Sequence, residues 1–221
     1  MNYPDWEAIY CRILDDFGYS REDDEYSARV LATLVGGRRV CGPDCLGEII
    51  GRTVTVYGFG PNLEKEMDEV KPSGTVISAD GATAELVKRG IVPDIVTTDL
   101  DGGIDAQIIA NSKGAVAVIH AHGDNVERIK EFVPFFPGKI TPTTQSRPFD
   151  QVYNFGGFTD GDRAVMLARH FGATRILLIG FDFASARAQR GKDAAVKAKK
   201  LRWAHRLIYD LNPPKVLIST P

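Results

Sequence analysis

The chain has 221 residues and a mass of 24.2 kDa, 43% hydrophobic and 25% charged, a balance that buries a sizeable core and excludes disorder and fibre. Its 27 Lys and Arg against 29 Asp and Glu leave a net charge of -2 and a pI near 6.1, which excludes the bulk basic character of a nucleic-acid or anionic-membrane binder. No apolar run approaches the roughly 20 residues of a spanning helix, and the acidic start MNYPDWEAIY lacks the basic head of a signal peptide. A cytoplasmic protein acting on small molecules is expected. Cys11, Cys41 and Cys45 are an odd number, and the C-x3-C pair has no further ligands near it for zinc. All three are expected as structural thiols in a reducing compartment.

In chain order, Trp6, Ile9, Tyr10, Ile13 and Leu14 recur at spacings of three and four and predict a helix over 5–16. A second helix is predicted over 25–35, and Gly36-Gly37 with Gly42-Pro43-Asp44 then breaks the chain. Residues 1–50 are therefore read as an N-terminal helical segment, a small cap or arm, and 51–221 as an α/β catalytic domain. In the latter, strands near 53–57, 75–79, 94–98, 115–119, 139–143, 152–154, 175–179 and 215–219 alternate with helices near 62–70, 82–89, 104–110, 124–132, 160–171 and 192–209. The strand runs are apolar nearly throughout, as a mainly parallel, doubly wound sheet covered on both faces requires.

Ligands of such sheets bind beyond the carboxyl ends of the strands, and there glycines and carboxylates collect strand after strand. Gly58-Phe59-Gly60-Pro61-Asn62 reads either as a tight strand-to-helix turn or as a phosphate cradle in which Gly58 and Gly60 admit the phosphate; in both, Asn62 would cap the next helix. Asp99 and Asp101, two apart in extended chain, read either as part of an Asp-Gly turn or as a pair suited to a hard divalent cation that shares substrate phosphate oxygens; Asp80 and Asp124, which end neighbouring strands, favour the cation. Asp80 is followed by Gly81 in a turn.

His120 and His122 again lie on one side of a strand end, where neutral imidazoles would donate to a phosphate or heterocycle or rest in the core. Asp160 and Asp162 open a helix after Gly156-Gly157; dipole compensation accounts for one, and the pair suggests a second group of metal- or substrate-facing carboxylates. Lys192, Lys197, Lys199 and Lys200 read as a solvated helix face, with a phosphate contact by one of them as the alternative.

SADGATAELVKRGIVPDIVTTDLDG, residues 78–102, resembles the central stretch of thiamine pyrophosphokinases. With Gly-x-Gly-Pro at 58–61, HAHGDN at 120–125 and GGFTDGDRA at 156–164, the chain is more similar to the archaeal-type 6-hydroxymethyl-7,8-dihydropterin pyrophosphokinases, which are related to that fold. The match covers about residues 50–221. The resemblance implies Mg²⁺-dependent transfer of the terminal diphosphate of ATP to a reduced pterin, giving AMP, in methanopterin- or folate-type cofactor biosynthesis. It also implies that Asp80, Asp99, Asp101 and Asp160 group around Mg-ATP. Asp124 and Asp162 fall within family motifs, and one of Asp99, Asp101 and Asp124 is expected to act as the base. A pocket lined by His120, His122, Asn154 and Phe158 is expected for the pterin. Asp101-Gly102 replaces the Asp-Ser of the thiamine enzymes, and Phe158-Thr159 their lysine, which counts against thiamine as acceptor. The expected partners are ATP and a reduced pterin, without nucleic acid or membrane, and with a homodimer left open.

Two other classes share parts of this pattern. Nucleotide-sugar glycosyltransferases also use an Asp-x-Asp metal pair, and the GFGPN turn is similar to that of large motility-associated glycosyltransferases, although this chain is short for them. A non-catalytic nucleotide-binding module is disfavoured, because carboxylates repel phosphate unless a metal intervenes.

Overall fold

The computed structural model describes residues 3–185 and 193–221. Three helices come first: α1 (Tyr3–Phe17), α2 (Arg21–Val35) and α3 (Pro43–Ile49). Strands and helices then alternate through β1 (Thr53–Tyr57), α4 (Leu63–Glu69), β2 (Thr75–Ala79), α5 (Ala82–Lys88), β3 (Ile95–Thr98) and α6 (Ile104–Ser112). They continue through β4 (Val116–Ala121), α7 (Val126–Phe132), β5 (Ile140–Thr144), α8 (Asp160–His170), β6 (Arg175–Ile179), α9 (Ala194–His205) and β7 (Leu217–Ser219). Among the described residues no helix is long and apolar enough to cross a membrane.

The strands form one seven-stranded sheet in the order β5-β4-β3-β2-β1-β6-β7, and every pairing is parallel, with Val54 of β1 set between Thr75 of β2 and Ile176 of β6. The predicted doubly wound α/β class therefore holds, with no antiparallel strand in the sheet. Successive side chains leave a strand on opposite faces, so each strand feeds two cores. Val54, Val56, Ile77, Ile95, Val116, Val118, Ile176 and Leu178 meet α3 and α8 on one face. On the other, Tyr57 and Ile179 meet α4 and α5, Val96 meets α6, and Ala117 and Ile119 meet α2 and α7. The chain winds outward from β1 to β5 and returns to β6 on the opposite side of β1. That reversal opens a crevice at the carboxyl ends of β1 and β6.

The N-terminal helices are packed into this body. Trp6, Tyr10 and Ile13 of α1 are fully buried against Phe158, Trp203 and Leu207. Helix α2 starts four residues before its predicted first turn because Ser20 accepts from the Asp23 amide, and Glu22, Asp23 and Asp24 sit where the helix dipole favours anions. Asp24, only 2% exposed, fastens the segment to the sheet. It accepts from Tyr10 Oη at 2.6 Å, Gln145 Nε2 at 2.7 Å and the Gly123 amide at 2.8 Å.

Three expectations need correction. Residues 152–154 do not form a sheet strand: they make isolated bridges through Tyr153 to Thr143 and Val152 to Phe149, after which Asn154 turns the chain by bonding Ser146 O and the Gly156 amide. Cys41 and Cys45 are not free thiols but a disulfide, since the Gly42-Pro43-Asp44 turn brings their Cα atoms to 5.3 Å; Cys11 stays free. The last helix begins at Ala194, capped by Asp193, and ends in a wider turn over Arg206–Asp210; Lys192 lies outside the described residues.

Asp24→Ala strands three donors at once, two of them buried, and is expected to lower the unfolding free energy by roughly 3 kcal/mol. Urea unfolding followed by tryptophan fluorescence measures this, and a loss under about 1 kcal/mol would refute the fastening role.

Candidate active site

The turns that follow β1, β2, β3, β4 and β6 surround one cavity of about 630 Å³, closed on its remaining sides by the α1–α2 turn, the start of α8 and one side of α9. Gly58, Gly60, Asp80, Asp99, Asp101, His122, Asp124 and Asp160 all line it. Backbone geometry aims the acids. Asp80 has φ of 40° and Leu100 of 67°, a left-handed conformation that side chains rarely adopt and that persists where function requires it. At Leu100 the reversal buries the leucine in the core while Asp99 and Asp101, on either side of it, both face the cavity. Gly102 is needed beside them, because a Cβ there would lie 2.6 Å from Asp80 Oδ2.

Asp80, Asp99 and Asp160 bring carboxylate oxygens within 4.8 Å of one another. Thr98 Oγ1 at 2.8 Å and Gln107 Nε2 at 2.9 Å hold Asp80 Oδ1. Burial, reinforced by the charges of Asp99 and Asp101, pushes the Asp80 carboxyl up to about 8. Asp160 is raised well above the usual carboxylate range by burial and by Asp99, against the pull of Arg163, whose Nη1 lies 3.1 Å from Asp160 Oδ1. At Asp99, burial opposes ionisation, but the hydrogen bond from His122, with the charges of Arg163 and Lys200, brings its carboxyl down to about 2.

His122 Nδ1 accepts from the Asp124 amide, so Nε2 carries the hydrogen directed at Asp99 Oδ2, 3.3 Å away. Asp99 Oδ1 is buried and has no hydrogen-bond partner among the described residues. Asp101 stands apart from the triad, 3.8 Å from Arg128 Nη1.

Several predicted residues have other duties. The amides of Gly58 and Gly60 donate to Ile179 O and Gly180 O, at 2.8 and 2.7 Å, so these two N–H groups are already used, although both glycines line the cavity. A Cβ on Gly60 would sit 2.5 Å from Gly180 O, so the glycine is required by the approach of the β1 and β6 turns. Pro61 and Asn62 lie outside the cavity lining, and Asn62 stands at the N-cap position of α4 without a side-chain capping bond; its Nδ2 donates to Glu66 Oε1 and Phe181 O. Gly81 lies against the Phe59 ring. Asp162 is fully buried and caps α8, accepting from the Phe158 and Thr159 amides and Thr159 Oγ1; burial nonetheless raises its carboxyl. It is a cap and not a second ligand carboxylate. His120 and Asn154 also miss the main cavity. His120, held neutral by burial, bonds Thr143 Oγ1 at 3.1 Å and lines a separate chamber of about 20 Å³.

Sequence reasoning passed over Asn125, which staples the site: its Nδ2 donates to Asp99 O at 2.9 Å and His120 O at 2.7 Å. Its place in HAHGDN was the available signal. Aromatic rings wall the cavity on two sides, Phe59, Phe181 and Phe183 near β1 and β6, and Tyr19 with Phe158 near the α1–α2 turn. Lys200 Nζ lies 5.5 Å from the Phe158 ring centre and 6.0 Å from that of Tyr19. Asp80→Asn keeps an acceptor for Thr98 and Gln107, suits the left-handed backbone and removes one crowded carboxylate. Its unfolding free energy without divalent cations is expected to equal or exceed the wild type's, within about 1 kcal/mol. A large loss in thermal unfolding would show that Asp80 serves the fold.

A family model described as "6-hydroxymethylpterin diphosphokinase MptE-like" matches residues 43–187. A protein of Methanocaldococcus jannaschii named 6-hydroxymethyl-7,8-dihydropterin pyrophosphokinase is 38% identical to this chain, over 94% of this chain and 95% of its own length. Proteins with the same name from Pyrococcus furiosus and Methanothermobacter thermautotrophicus are each 41% identical, covering 94% and 92% of this chain and 93% and 92% of theirs. Among solved structures, the MAf glycosyltransferase of Magnetospirillum magneticum AMB-1 shares the fold, with a TM-score of 0.55 and 15% identity over 90% of this chain and 36% of that longer one. The thiamine pyrophosphokinase of Bacillus subtilis gives a TM-score of 0.42 at 15% identity, over 76% of this chain and 60% of that one. Both the family match and the nearly full-length relatives place the chain in the MptE-like 6-hydroxymethylpterin diphosphokinase family.

Proposed function

We propose that this protein transfers the terminal diphosphate of ATP to the hydroxymethyl group of 6-hydroxymethyl-7,8-dihydropterin, releasing AMP and supplying a methanopterin- or folate-type pathway. The observation that carries the reading is the Asp80-Asp99-Asp160 cluster on the floor of a cavity with two aromatic walls, in a chain of this family. These acids fit a hard divalent cation: every donor is a carboxylate oxygen, one of them is buried without a partner among the described residues, and burial with neighbouring negative charge raises two of the acids. Asp80, Asp99 and Asp160 would hold Mg²⁺, with Asp101 at the edge of the site. When bound, the cation neutralises charge that develops on the phosphate oxygens.

The chain's own groups position the reactants. Asp99 stays ionised and oriented because His122 and Asn125 hold opposite ends of it. The Tyr19–Phe158 wall offers a planar heterocycle an apolar face beside polar groups. Asp124, exposed at the rim and close enough to raise the Tyr19 hydroxyl after the larger effect of burial, accepts the proton of the substrate hydroxyl as its oxygen attacks the β-phosphorus. The bond from that phosphorus to the bridging oxygen breaks, and AMP leaves with the electron pair.

A product assay with Mg²⁺-ATP and both acceptors in parallel tests the reading. AMP and pterin diphosphate are expected with the pterin, and little product with thiamine, whose cationic ring leaves a pocket built for a hydrogen-bonding heterocycle unpaired. Thiamine diphosphate alone would overturn the acceptor, and nucleoside diphosphate released from a sugar nucleotide would favour a glycosyltransferase. Asp99→Asn and Asp101→Asn are each expected to cut turnover by about a thousandfold or more with the fold intact. Near-wild-type turnover in both would sink the cation assignment, as would full activity after exhaustive removal of Mg²⁺ and Mn²⁺.

A further inference from the structure

Arg163 is 8% exposed, yet it lines the main cavity and also the small chamber behind it. Among the described residues its guanidinium makes one hydrogen bond, from Nη1 to Asp160 Oδ1, and its Nε is buried without a partner. Burying a guanidinium with most of its donors unused is unfavourable, and a fold keeps such a group where something else completes it. The backbone around it is closely fitted. Gly157, at φ of 99°, passes so near that a Cβ would lie 2.6 Å from Arg163 Cα, and Thr97 Oγ1 holds the Asp160 carbonyl at 3.0 Å. The arginine therefore stands at a fixed place beside the three clustered acids.

We propose that Arg163 contacts the diphosphate being transferred, a role that rests on the reaction proposed above. The clustered carboxylates repel phosphoryl oxygens, and a rigid planar fork of N–H donors in the same wall supplies what they lack. Asp160 occupies one arm of the fork. The remaining donors match two oxygens of a phosphoryl group, a geometry that a lysine ammonium does not reproduce. The competing role is purely internal: Arg163 would do no more than orient Asp160 for the cation.

Arg163→Lys and Arg163→Gln separate the two. For each full-length variant, thermal unfolding checks the fold, electron paramagnetic resonance measures Mn²⁺ affinity, and calorimetry in saturating Mn²⁺ measures affinity for inorganic pyrophosphate and for AMP. The contact predicts that Arg163→Lys loses about tenfold or more in pyrophosphate affinity, while Mn²⁺ and AMP affinities move by less than about threefold. If Arg163→Gln fails to fold, Arg163→Lys decides alone. Unchanged pyrophosphate affinity, or a loss matched by an equal loss for Mn²⁺, would overturn the proposal, and so would a wild type that does not bind pyrophosphate. Wild type that binds pyrophosphate in this way but forms no pterin diphosphate would reject the acceptor while leaving the arginine contact standing.

Discussion

Mutual repulsion among carboxylates crowded where the ends of β2 and β3 meet the start of α8 is the constraint around which this molecule is arranged. Asp80, Asp99 and Asp160 have oxygens within 4.8 Å of one another, with Asp101 close enough to raise two of them further. Left alone such a group would spread or take up protons. The chain keeps it together with left-handed backbone at Asp80 and Leu100, with donors from Thr98, Gln107 and His122, and with the Asn125 staple across β3 and β4. The resulting energetic debt sits at one place in the structure, which is where a cation and a polyphosphate would relieve it.

The rest of the fold serves that arrangement. A parallel sheet with a reversal between β1 and β6 turns five strand ends toward one crevice, and the close approach of the Gly60 and Gly180 turns shapes its floor. The N-terminal helices complete the opposite wall: Asp24 ties α2 to Gly123 in the loop after β4 and to Gln145 after β5, so the Tyr19 side of the cavity is fastened to the loop that carries His122. Gly18, Tyr19, Ser20, Asp23 and Asp24 thus line that side of the cavity.

Periodicity and strand-end residues made the α/β class, most of the elements and the placing of Asp80, Asp99 and Asp101 at one edge of the sheet legible in the sequence, because strand and helix periods are local and the ends of buried strands are short. What stayed hidden depends on distant partners. Asp160 and Asp162 look alike in sequence, yet one faces the cavity and the other folds back onto its own helix start. His120 and His122 alternate on β4 and beyond, but the strand runs to Ala121, so the first is sealed in the sheet and the second clears its edge. The Gly58 and Gly60 amides are taken by the carbonyls of Ile179, at the end of β6, and Gly180, just after it, more than a hundred residues later. Asp24, Gln145 and Arg163 act only through contacts that no spacing announces.

The most direct measurement is the anomalous scattering of manganese in crystals of the full chain grown with Mn²⁺ and a non-cleavable ATP analogue. The account predicts a manganese peak bound by Asp99 together with Asp80 or Asp160, with phosphate oxygens of the analogue completing its shell. Manganese found elsewhere, or a nucleotide bound in the cavity with its phosphates away from these acids, would contradict it.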